Sequence, residues 1–183
     1  AEDHLDPQTD VSVANSMARD SQHQIESFSR YINLTVEQLD RNLLGAASAW
    51  EPTHVRMSEA WNEACELLQL RFRSAGVERE NDIQTREDWV YVDHRALVHV
   101  LVNLAKNAIE AMRELPGNRK LKFVVKRDGS RLDCSVINQG PPIPAELQEM
   151  IFQRGFSTKP GAGRGLGLHL VKESIERMGG EIR

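Results

Sequence analysis

"HRALVHVLVNLAKNAIEAM", residues 94–112, is too apolar for a surface helix and carries two amides that a plain core helix has no use for. Its apolar residues recur every three or four positions, which predicts a helix with Asp93 as N-cap and a stop before Pro116-Gly117. Asn103 and Asn107 lie four apart and therefore emerge on one face, one turn from each other. A buried amide costs about 1–3 kcal/mol for each group left unsatisfied. Two kinds of partner remove that cost. One is the backbone of a packed loop; the other is a ligand, such as hydrated Mg2+ with phosphates, because amide oxygens suit hard cations.

Upstream of this helix, "WVYV" (89–92) reads as a short strand, residues 84–88 as a polar loop and residues 77–83 as an alternating strand. Residues 58–75 predict one helix that starts at Ser58, places Trp61, Cys65, Leu68 and Phe72 on a shared face, and ends before Gly76. Glu51-Pro52-Thr53 separates this α/β pattern from sequence of another kind. From Val11 to Ala46 a three-four spacing runs through Ile25, Phe28, Ile32 and Leu39, with no Pro or Gly before Gly45. It predicts a single helix over 10–48, capped by Asp10, whose stripe needs partner helices. A helical bundle formed by dimerisation is the simplest cover. The expected division is 1–50 as part of a bundle and 51–183 as an α/β domain.

Downstream, residues 121–126 and 132–136 read as two strands joined through Asp128-Gly129, a hairpin signal. The loop "NQGPPIP" (138–144) and a short helix near 145–151 follow. "IFQRGFSTK" (151–159) sets Phe152 and Phe156 around Arg154 and Gly155, either as a loop anchored by rings or as a lid. "GRGLGL" (163–168) opens a final helix reaching about residue 178. Its glycines let backbone N–H groups approach a phosphate and the helix start adds unpaired donors; a surface loop capped by a helix reads the same way. Gly179-Gly180 ends that helix, and "EIR" reads as the first residues of a strand expected to continue past residue 183. Helices and a mixed sheet in this order predict an α+β fold, a two-layer α/β sandwich preceded by the long helix.

Composition narrows the functional classes. A net charge of −4 leaves no basic excess to neutralise a nucleic-acid backbone. No apolar run approaches the roughly 18–20 residues that cross a bilayer, so no membrane contact is expected in this segment. Cys65 and Cys134 stand far apart without a metal-binding spacing, which suits reduced thiols in the cytoplasm.

Taken in order, these pieces resemble the catalytic ATP-binding domain of sensor histidine kinases, within the gyrase, heat-shock chaperone and MutL superfamily of ATPases. "NLAKNAIEAM" is similar to that family's N box, "NQGPPIP" to its first glycine box, "IFQRGFSTK" to its F box and "GRGLGLHLV" to its second glycine box. The wording of "NAIEAM" and "GFSTK" is most similar to the citrate and dicarboxylate sensor subgroup. The resemblance implies ATP and Mg2+ as cofactors. It implies that Asn103 serves catalysis and, with Asn107, holds Mg2+ and the phosphates. Gly163, Gly165, Leu166 and Gly167 would form the phosphate-binding turn, with Lys159 and Arg164 neutralising triphosphate charge. Asn138 and Gly140 would meet adenine. The long helix would belong to a dimerisation and phosphotransfer bundle, and the γ-phosphoryl would pass to a histidine outside this segment and then to a response regulator.

Two departures bear on that expectation. The family's first glycine box reads Asp-x-Gly-x-Gly, whereas this chain has Asn138, Gly140 and Pro142. An Asn in place of Asp exchanges a charge-assisted hydrogen bond for a neutral one, and Pro142 fixes φ and removes an N–H. If position 142 needs positive φ, the loop must be rebuilt. Neither His4 nor His23 has the surroundings of a family phosphoacceptor. The alternative is a degenerate kinase-like module that acts as a scaffold. An ATPase of the gyrase or MutL kind is disfavoured, since Asn103 stands where those use a Glu base and an amide cannot take a proton from water.

Overall fold

The computed structural model describes residues 50–157 and 165–183. The chain divides into units 1–46 and 47–183, and the second is the one described. The expected helix over 10–48, and the dimer built on it, lie outside the described residues.

The described elements are β1 (Pro52–Arg56), α1 (Met57–Leu67), α2 (Gln69–Ala75), β2 (Val77–Ile83), β3 (Trp89–Asp93), α3 (His94–Ala111), β4 (Arg119–Asp128), β5 (Arg131–Asn138) and α4 (Gly167–Arg177), with 3-10 turns at Ala145–Leu147 and Met150–Phe152. β2, β4 and β5 form one sheet, β2 parallel and β5 antiparallel to β4. β1 and β3 form a separate antiparallel pair.

Alternation along β4 builds the layers. Leu121, Phe123 and Val125 are wholly buried on its inner face, while Lys122 reaches Glu80 and Asp82 on the outer one. Trp61 of α1 stacks on Phe123 with ring centroids 4.3 Å apart. Its indole N–H donates to Asn81 Oδ1 at 2.9 Å, so the large ring is buried without an orphaned donor. α3 is the central helix: Val98, Leu101, Val102, Ala105 and Ile109 are buried, and it packs between α1 and α4. Asp93 caps it as expected, its Oδ1 accepting from Ala96 N at 2.9 Å.

Several expectations are corrected. The helix predicted over 58–75 is two helices, because the backbone turns at Leu68 (φ −102°, ψ 9°); this bend lets Leu68 and Phe72 both reach the core. The first of these starts at Met57, one residue early. Asp88, assigned to a polar loop, is buried and caps it: Met57 N donates to Asp88 O and Ser58 N to Asp88 Oδ2, both at 2.9 Å. β1 was not foreseen; its Pro52 stands at the first strand position, where a missing N–H is tolerated. β4 and β5 extend to the turn, with Asp128 opposite Arg131 and Gly129 at φ +57° between them. The helix near 145–151 is replaced by the two 3-10 turns. Residues 181–183 form no strand among the described residues; Glu181 instead meets Arg131 at 3.5 Å.

Among the described residues no helix is long and apolar enough to cross a membrane.

Candidate functional site

Asn103, in the middle of α3, is 8% exposed. Its Nδ2 donates to His99 O at 3.1 Å and lies 3.1 Å from both ring nitrogens of His99. Since a carbonyl oxygen only accepts, this contact fixes which way the amide is turned. Oδ1 therefore points the other way, where a Cβ on Gly167 would sit 3.4 Å from it. Among the described residues no donor pairs with that oxygen. One turn on, Asn107 is half-buried and its amide likewise has no hydrogen-bond partner among the described residues. An unpaired amide oxygen set against Gly167, with a second unpartnered amide one turn on, fits a hard cation or the N–H and metal surroundings of a phosphate.

α4 closes the other side of the gap. Its N-cap is Leu166, whose side chain caps nothing, so the first-turn N–H groups keep their donor capacity and the helix dipole favours an anion. Gly165 packs against the chain of the preceding segment. It sits at φ +87°, and a Cβ there would come within 2.5 Å of Gly155 C and 2.6 Å of Phe156 O. Gly155 N donates to Gly165 O at 3.0 Å. His169 Nδ1 donates to Phe152 O at 3.1 Å. These contacts hold the aromatic segment to the start of α4. Lys159, Gly163 and Arg164 lie outside the described residues.

The third piece is the loop after β5. Asn138 Oδ1 accepts from Gly140 N at 2.7 Å, an Asx turn. Gly140 is pressed on the end of α3: a Cβ would lie 2.8 Å from Ala111 Cβ and 3.1 Å from Ala111 O. Gln139 N donates to Met112 Sδ at 3.5 Å, and Lys120 N donates to Gln139 Oε1 at 2.8 Å. No residue from 138 to 144 has positive φ. Position 142 thus takes a φ that a proline fits, and Gly140 answers to a lack of space.

Asn103, Asn107 and Ala111 follow one another at four-residue steps along α3. Gly167 meets the first and Gly140 the last, about 12 Å apart at 1.5 Å per residue. These pieces outline a candidate elongated site, with Asn103 and Gly167 at one end and Asn138 and Gly140 at the other. Asn103 meets Gly167 at the first end, next to the Gly165–Gly155 junction, and Asn138 bonds Gly140 at the second; Asn107 follows Asn103 by one turn of α3. Among the described residues no cluster of His, Cys, Asp and Glu could hold a metal. A divalent ion held here would rely on amide and phosphate oxygens.

Reading the sequence alone missed His99, Ala111, Met112 and His169. His99 was within reach, since it precedes Asn103 by four residues on the same helix. The other three act across long loops and left no local signal.

The family described as histidine kinase-, DNA gyrase B-, and HSP90-like ATPase matches residues 92–183. The sensor histidine kinase DcuS of Escherichia coli K12 is 42% identical over 86 residues, 47% of this chain and 16% of DcuS. The chain thus spans a minor part of that relative. Among solved structures, the nucleotide-free catalytic domain of histidine kinase ThkA is 34% identical with a TM-score of 0.62, covering 70% of this chain and 82% of that one. ThkA in complex with the response regulator protein TrrA is 28% identical with a TM-score of 0.64, covering 97% of this chain and 48% of that one.

Proposed function

We propose that this chain, which belongs to the histidine kinase-, DNA gyrase B- and HSP90-like ATPase family, is the nucleotide-binding part of a sensor histidine kinase. In this reading a nucleoside triphosphate lies along α3, phosphates at Asn103, Asn107 and the start of α4, base at Asn138. The observation that carries it is the buried Asn103 amide oxygen, unpartnered among the described residues and set against Gly167 at the start of α4, with the unpartnered Asn107 amide one turn on. Such a surface has a use for a bound anion and its cation and none for a packed core.

Asn103 and Asn107 fit Mg2+, which supplies charge neutralisation at the phosphates when bound. The work of the chain's own residues is positioning. His99 holds the Asn103 amide, and Gly165 and Gly167 keep the space beside it clear. Lys159 and Arg164 add positive charge. Phosphoryl transfer asks mainly for alignment and charge stabilisation. The γ-phosphoryl would go to a histidine presented by a helical bundle, then to a response regulator receiver domain. The complex formed by ThkA supports that class of partner. The 10–48 helix would supply the dimer contact.

Calorimetric titration with Mg-ATP tests the reading. Saturable binding below millimolar nucleotide, abolished by Asn107→Leu without loss of thermal stability, is the expected result. Heat that never saturates up to millimolar nucleotide overturns it.

A further inference from the structure

We propose that the base end of this site donates a hydrogen bond, so that it takes 6-oxo purine nucleotides, such as inosine and guanosine triphosphates, about as readily as adenosine triphosphate. The proposal rests on the nucleotide reading above and adds to it the class of base.

Which atom of Asn138 is free decides the base. Gly140 N–H can only donate, so the atom it meets at 2.7 Å must be the carbonyl oxygen of the amide. That contact settles the orientation of the Asn138 side chain: Oδ1 turns back to its own loop and Nδ2 turns away. The side chain is exposed, and Nδ2 has no partner among the described residues.

The turn is held from both sides. Gly140 has no room for a Cβ against Ala111, and Gln139 is fastened to Met112 on one side and to Lys120 on the other. Releasing Oδ1 means breaking a short bond in a turn that its surroundings keep in place. Pro141 and Pro142 have no N–H, so the loop backbone beyond Gly140 offers no donor at those two positions. The outward group at this end of the site is an NH2.

A carboxylate at position 138 would present acceptors alone and would select a base with an amino group at its 6-position. The Asn138 amide presents a donor, which matches a carbonyl oxygen at that position. An adenine 6-amino group is left with the second lone pair of Oδ1. Sites that pair a polar edge reject the ligand that leaves it unpaired, and here the pairing tilts toward the oxo group.

The test is calorimetric titration of the chain and its Asn138→Asp variant with Mg2+ and each of ATP, ITP and GTP. ITP is the main probe because it exchanges the 6-amino group for an oxygen and adds nothing at position 2. Asp retains an oxygen for Gly140 N, so the turn is kept, and thermal melting checks this. The expected result is an ITP affinity within about threefold of that for ATP in the native chain. In Asn138→Asp, the ITP affinity should fall about tenfold or more relative to ATP. A native preference for ATP beyond about threefold, or a smaller change of ratio in the variant, overturns the proposal. If neither protein binds any of the three nucleotides, the nucleotide reading itself fails and this proposal falls with it; binding with an unchanged ratio removes only the base assignment.

Discussion

Asn103 and Gly167 face each other across the gap between α3 and α4, so closely that a methyl group on residue 167 would rest 3.4 Å from Asn103 Oδ1. That distance is ordinary van der Waals contact, so Gly167→Ala fits sterically. It also stands directly against that oxygen, on the side turned away from His99. The variant is expected to melt within a few degrees of wild type while losing nucleotide affinity by about tenfold or more. Paired melting and titration curves check this; equal affinity in both proteins would remove Asn103 from the site.

Gly165 gives the opposite expectation. With φ at +87° and Gly155 C and Phe156 O within 2.6 Å of a built Cβ, Gly165→Ala cannot be accommodated locally. A strained backbone of this kind costs on the order of 1–3 kcal/mol. The junction should open, and amide exchange at Gly155, whose N–H is bonded to Gly165 O, should accelerate. Unchanged protection at Gly155 would contradict the packing described.

Asp88 provides a test of stability against acid. Burial pushes its carboxyl up, but the Ser58 hydroxyl and backbone N–H, its own backbone and the Arg56 guanidinium outweigh that and hold it below the usual value. A carboxyl depressed in the folded state stabilises fully above its unfolded pKa, near about 3.9, and loses that contribution as pH falls through the folded value. Asp88→Ala should cost about 1–3 kcal/mol at neutral pH. In urea titrations the gap from wild type should narrow as pH drops below about 4. A gap that stays constant to lower pH would mean that the cap works without its charge.

Cys65 reports the alkaline side. Burial pushes its thiol from 9.0 up to about 11, partly offset by the nearby Arg79. The folded state therefore favours the neutral thiol. Its contribution is complete below the unfolded pKa and disappears as pH rises toward about 11. Cys65→Ala should lose less stability than wild type across that interval. Peptide mapping after iodoacetamide should find Cys65 unmodified in the native protein at about pH 8; rapid labelling there would show that the core around α1 opens.

What could be read ahead of the structure was local. The α3 periodicity, the Asp93 cap and the Asn103/Asn107 pair all depend on residues within one or two turns of each other, and they fold as their spacing says. The capping of α1 by Asp88 and the pairing of β1 with β3 depend on residues far along the chain, and no short window of sequence carries them. Gly140 lies between these cases. Its place in the loop was legible, but the reason for it is Ala111, a neighbour by folding alone. Asn138 was legible as a substitution and not as a direction: only the contact with Gly140 N shows which end of the amide is turned outward.

Asn103, Asn107 and Ala111 mark off the site at four-residue intervals on α3, which makes that helix a ruler. In the proposed reading, both ends of the nucleotide would be measured against the same rigid rod, so changes in the surrounding loops would alter grip without altering gauge. One residue inserted between Asn107 and Ala111 would add about 1.5 Å and rotate the far mark by about 100°, carrying the base end out of line with the phosphates. In that reading the count of residues between those two marks is what cannot drift.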